Sequence, residues 1–179
     1  MTQSSKPRLL VVDDDLGVIA AYRLVLEKVP ERAAQSLFGL DELEAELFGE
    51  KRAAAPEQEW RIKFLDQGLD AVMAIQWAID EGDPYTAIFI DVRMPPGIDG
   101  FEAAERIRKI DPDVHIIVVT GYSDYTYEDF VEVAGPASKL TYMPKPVWPD
   151  QLRNVARILT REKQNQQAQT ALIAEAKRA

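Results

Sequence analysis

Residues 87–102 read AIFIDVRMPPGIDGFE, and the order of those residues decides the fold. Four apolar residues, Ala87 to Ile90, run without polar alternation straight into Asp91. An unbroken apolar run bounded by turn residues is what a parallel strand covered on both faces requires. The turn follows at Pro95-Pro96-Gly97, and beyond it Phe101, Ala104, Ile107 and Ile110 fall at helical spacing, with Asp99 placed as N-cap. A surface carboxylate needs no such mounting. Asp91 is held on a buried strand, so its purpose depends on what else reaches the same rim.

Working outward, two runs resemble the first: Leu9–Val12 and His115–Thr120. Lys139–Met143 is a fourth strand, and Trp60–Asp66 alternates as an outer strand does. Helical patterns separate them. Val18, Ile19, Tyr22, Val25, Leu26 and Val29 mark the first, and Leu69, Val72, Met73, Gln76, Trp77 and Ile79 the second, which stops at Gly82 with Pro84 beyond. The segments DYTYEDFVEVA and PDQLRNVARIL carry the last two. Strand and helix alternate five times, which predicts an α/β, doubly wound, five-stranded parallel sheet. Residues 7–160 form this domain, and two segments exceed it. An insertion at about 31–59 carries Leu40, Leu43 and Leu47 at helical spacing among acidic residues, either lying over the sheet edge or docking a partner. The polar stretch 161–179 is a linker helix or a tail.

The chain has 179 residues, 46% hydrophobic and 28% charged, with a net charge of −9 and no cysteine. That balance belongs to a soluble globular protein. Its acidity repels phosphate backbones and argues against direct nucleic-acid binding. Disulfides and thiolate metal sites are excluded. Three aspartates follow the first short apolar run, so the N-terminus is no signal peptide. No stretch is apolar enough to span a membrane, and a cytoplasmic location is expected.

In a doubly wound sheet, ligands bind beyond the carboxyl ends of the strands. The residues that follow the strands are Asp13-Asp14-Asp15, Asp91, Thr120-Gly121 and Lys145-Pro146. Two carboxylates about 4 Å apart repel by roughly 4 kcal/mol at an effective dielectric near 20, so such a cluster calls for a cation. Oxygen-only ligands beside a phosphate-sized space suit Mg2+. A carboxylate nucleophile, a divalent cation, an ammonium and a hydroxyl together make a phosphoryl acceptor. Singly, each residue has a duller reading as a cap or a turn. Their joint appearance at strand ends is the specific signal.

The motifs LLVVDDD, IFIDVRMPPGIDGFE, IIVVTGYS and YMPKP resemble the receiver domain of two-component response regulators, from Arg8 to about Thr160. The resemblance implies a flavodoxin-like receiver fold with a helical insertion after the first helix and a C-terminal helical extension. It implies that Asp91 is the phosphoacceptor, that Asp13, Asp14 and Asp91 hold Mg2+ with the backbone carbonyl of Arg93, and that Lys145, Thr120 and the Gly121 backbone contact the phosphoryl group. Thr120 and Tyr142 stand where the family keeps its switch pair. Asp15 is then a helix cap. A histidine kinase or phosphotransfer protein would be the donor, since the chain lacks a Gly-rich phosphate loop and its single His115 begins a strand. The chain would act only on its own aspartate, passing the signal to an effector or output domain outside it. Receivers attached to sensor kinases or cyclic-dinucleotide enzymes are the nearer likeness. Tyr122, Tyr125, Tyr127 and Phe130 either pack the fourth helix or offer an output or homodimer surface. Departures from the family are the insertion, the long interval between Thr120 and Lys145, and Leu16 where proline is common. Two alternatives remain: a receiver-shaped scaffold that takes no phosphate, and a haloacid-dehalogenase-type phosphatase using Asp13 and Asp15.

Overall fold

The computed structural model describes residues 6–27, 59–121 and 125–178. Leu40, Leu43, Leu47 and Tyr122 lie outside them, as does nearly all of the expected insertion. In chain order the elements are β1 (Arg8–Val12), α1 (Leu16–Leu26), β2 (Arg61–Leu65), α2 (Gly68–Asp80), β3 (Ala87–Ile90), α3 (Gly100–Ile110), β4 (His115–Thr120), α4 (Tyr127–Ala134), a 3-10 turn (Ala137–Lys139), β5 (Leu140–Pro144) and α5 (Pro149–Ala176).

The five strands form one parallel sheet in the order β2-β1-β3-β4-β5, the flavodoxin-like arrangement. The three apolar runs occupy its centre: every residue of β3 is buried, and so are all but the first of β1 and β4. The alternating run becomes edge strand β2, with no buried residue. Helices α2, α3 and α4 cover one face, and α1 and α5 cover the other, giving two apolar clusters separated by the sheet.

Local chemistry starts each helix. Asp15 caps α1 by accepting from the amides of Gly17 and Val18. Asp99 caps α3 by accepting from Glu102 N at 2.8 Å. Thr126 and Asp129 form a reciprocal capping box on α4. Pro149 opens α5, where a missing N–H costs nothing.

One helix face departs from expectation. In α2 the buried residues are Gly68, Ala71, Ala74, Ile75 and Ala78, whereas Leu69, Met73, Trp77 and Ile79 are exposed. Small side chains let α2 approach the sheet and α3 closely; Gly68 is so near the β3–α3 loop that a Cβ there would stand 2.9 Å from the Ile98 carbonyl. Packing distance, not side-chain hydrophobicity, selected the inward face.

The two ends flanking residues 28–58 are joined. The buried Trp60 indole donates to the Leu26 carbonyl at 3.0 Å. α5 grips both sides of this neck: Arg153 donates twice to Val25 O, and Arg157 pairs in bidentate fashion with Glu59.

Candidate functional site

Asp91 directly follows β3, and its amide donates to Val12 O at 2.9 Å, which docks it beside the end of β1. Asp13 follows β1, with its amide donating to Leu65 O. Lys145 follows β5, and its amide donates to Thr120 O at 2.9 Å, fixing it beside the end of β4. The sheet ladder itself therefore brings the four strand ends together.

Asp13, Asp14 and Asp91 each offer a carboxylate oxygen within 4.8 Å of the others. Asp13 and Asp91 are buried, and Asp14 is half-buried. Lys145 Nζ donates to Asp13 Oδ2 at 2.6 Å and stands 3.4 Å from Asp91 Oδ1. Thr120 is buried at the same rim, and Gly121 lies against Lys145, 3.6 Å from its Cβ to an ideal Cβ at the glycine. Arg93 has an exposed side chain two positions beyond Asp91. Tyr142 sits half-buried on β5, edge-on to Phe130 with ring centroids 6.3 Å apart.

Charge is under tension here. Burial pushes the Asp91 carboxyl above the usual range; Lys145 opposes that shift and the Asp13 charge adds to it. Burial works against the Lys145 ammonium, yet its hydrogen bond to Asp13 and the two carboxylate charges outweigh burial and raise it. One ammonium offsets one of three negative charges, leaving two. Hard oxygen donors with a residual double negative charge fit a divalent cation such as Mg2+.

Asp15 does not join the cluster. Its carboxylate is spent on α1, and its amide donates to Asp13 Oδ1 at 3.0 Å. The D-x-D arrangement a haloacid-dehalogenase-type phosphatase would need is therefore unmet. The Lys145–Pro146 peptide is cis, as is common in the family resembled.

Two supporting residues escaped the sequence reading. Tyr22, on α1, is buried close enough to sense Lys145, Asp13 and Asp91; burial, more than these charges, pushes its hydroxyl up to about 12. Its helical periodicity marked it as core and nothing more. Gly100 donates to Val92 O at 2.8 Å, and any Cβ there would lie 2.0 Å from Asp91 O. A glycine in the first turn of a helix, where better helix formers abound, was the available signal.

The sequence profile described as "Response regulator receiver domain" matches residues 54–157, more than half of the chain. The chain belongs to that family, the phosphoacceptor domains of two-component signalling. Sporulation initiation phosphotransferase F of Bacillus subtilis (strain 168) is 27% identical over 70 residues, covering 39% of this chain and 53% of that protein. The chain thus spans about half the length of the curated relative it matches. Among solved structures, the signal receiver domain of an HD domain-containing protein from Pseudomonas fluorescens Pf-5 is similar with a TM-score of 0.63 at 14% identity, over 94% of this chain and 96% of that one. A CheY-like receiver domain protein from Methanospirillum hungatei JF-1 is similar with a TM-score of 0.57 at 21% identity, over 90% and 99%. At those identities the structures show the shared fold.

Proposed function

We propose that Asp91 is the phosphoacceptor of this receiver. A carboxylate oxygen of Asp91 attacks phosphorus; the new O–P bond forms as the P–N bond to a donor imidazole breaks, and the imidazole leaves with the electron pair. Asp13, Asp14 and Asp91, with the backbone carbonyl of Arg93, are the residues that would hold Mg2+, which when bound supplies charge neutralisation for the phosphoryl oxygens. Lys145, already between Asp13 and Asp91, pairs with a second phosphoryl oxygen. The Thr120 hydroxyl and Gly121 amide donate to the third. Thr120 then moves toward the phosphoryl group and Tyr142 turns inward behind it, a shift between two existing states.

The donor is a histidine kinase or a histidine phosphotransfer protein, and the chain's own catalysis is confined to phosphorylation and dephosphorylation of Asp91. Residues 7–160 act as the receiver, working in the cytoplasm, and residues 161–179 lead toward an effector or output domain outside this chain.

The observation that carries this reading is the convergence of three carboxylates with Lys145 at one rim. Incubation with acetyl phosphate and magnesium should give a single phosphoryl adduct by intact mass, labile to hydroxylamine and missing in Asp91→Asn. An adduct that persists in the variant would move the acceptor elsewhere. No adduct from acetyl phosphate or from any histidine donor would favour the scaffold reading.

A further inference from the structure

Helix α4 is fastened very differently at its two ends. At its C-terminal end Arg108, in the last turn of α3, donates to five backbone carbonyls: Ala134 at 2.8 Å, Lys139 at 3.1 Å, and Asp111, Pro112 and Val114 in its own following loop. Backbone acceptors move only with the backbone, so this end is pinned to α3. At its N-terminal end stands Tyr125, just ahead of the Thr126 cap. Its hydroxyl donates to Asp99 Oδ2 at 2.9 Å, and its ring stacks on Phe101 with centroids 4.0 Å apart and planes 7° from parallel.

Asp99 is the hinge of this arrangement. One of its oxygens caps α3 and the other holds Tyr125, so a single carboxylate links the start of α3 to the segment entering α4. The start of α3 is in turn pressed on the backbone of Asp91 through Gly100. In the other direction Phe101 meets the buried Phe130 edge-on at 5.0 Å, and Phe130 meets Tyr142. A continuous set of rings therefore joins the Tyr125 clasp to the aromatic residue of β5.

We infer that Tyr125 is a latch that holds the N-terminal end of α4 against α3 in the unphosphorylated state and sets how far the receiver favours that state. A helix pinned at one end and clasped at the other can only swing at the clasped end. The clasp includes a hydroxyl-to-carboxylate bond and a ring stack, both of which must slip when α4 swings. Because the clasp belongs to the unphosphorylated arrangement, weakening it enlarges the competent fraction and tightens apparent binding of any phosphoryl mimic. The inference rests on Asp91 being the phosphoacceptor.

The test uses the full chain with magnesium and beryllofluoride, a phosphoryl mimic, titrated by tryptophan fluorescence. Tyr125→Phe keeps the stack and removes the bond. Asp99→Ser keeps an N-cap for α3 and removes the same bond from the other side. Each should tighten beryllofluoride binding about threefold to tenfold, and the double variant should tighten it no further than either single one. Cooperative thermal unfolding in all four proteins would show that the fold is kept. Binding by Tyr125→Phe that stays within about twofold of the wild type, or that weakens, would overturn the latch. Additive gains in the double variant would overturn it too. Failure of the wild-type chain itself to bind beryllofluoride or take up phosphate would sink the phosphoacceptor reading, and the latch with it.

Discussion

At the scale of the residue, the site is a balance of charges kept from water. Asp91 and Asp13 are both buried, and Lys145 serves both. Ionised Asp91 is therefore a cost to the fold: a carboxyl raised by burial gives stability that is present at low pH and lost as pH climbs through its folded value. With metal removed by EDTA at neutral pH, Asp91→Asn should unfold at a higher denaturant concentration than the wild type. Added magnesium should stabilise the wild type more than the variant, and calorimetry on both would check each sign. His115 behaves in the opposite sense. Its imidazole shares a 2.8 Å hydrogen bond with Thr141, and burial, then Lys139 and Arg108, lower it from 6.5 to about 4, with Glu162 opposing. The unfolded chain takes up this proton first, so stability is full above about pH 6.5 and declines as pH falls toward 4. His115→Gln should flatten that decline in urea midpoints measured across the interval.

At the scale of the element, close approach decides more than hydrophobicity. Gly100→Ala would drive a Cβ into the Asp91 carbonyl, so α3 must slide. A loss of about 2–3 kcal/mol in chemical unfolding is expected, together with slower phosphoryl uptake. Arg108→Ala strips five carbonyls of their donor and should cost about 3 kcal/mol, with faster amide exchange at the C-terminal end of α4. The same principle explains what was legible in the sequence. Strands β1, β3 and β4 were plain because burial on both faces demands unbroken apolar runs. The rim residues Asp13, Asp14, Asp91, Thr120 and Lys145 followed, because a parallel sheet delivers every strand end to one side. The inward face of α2 was misread, since Ala71, Ala74 and Ala78 look neutral beside Trp77 and Met73 until the helix is pressed on its neighbours. The Tyr125–Asp99 bond was illegible for another reason: its partners lie 26 residues apart, and no periodicity relates them.

At the scale of the whole molecule, a single indole bond ties the end of α1 at Leu26 to the entry of β2 at Trp60. Arg153 and Arg157 of α5 hold the same two points, at Val25 and Glu59. Trp60→Phe removes that buried bond and should cost about 1–2 kcal/mol in chemical unfolding. Helix α5 adds a mechanical consequence. Its buried residues Leu152, Ala156, Leu159 and Thr160 all lie in its first half, while Leu172 and Ile173 are exposed far beyond. At 1.5 Å per residue the largely exposed stretch 161–176 reaches roughly 24 Å. A tilt of about five degrees where Arg153 and Arg157 hold the base would carry its tip, about 30 Å away, by roughly 3 Å. Displacements too small to repack the domain are thus amplified with distance, as a lever amplifies the motion of its fulcrum end.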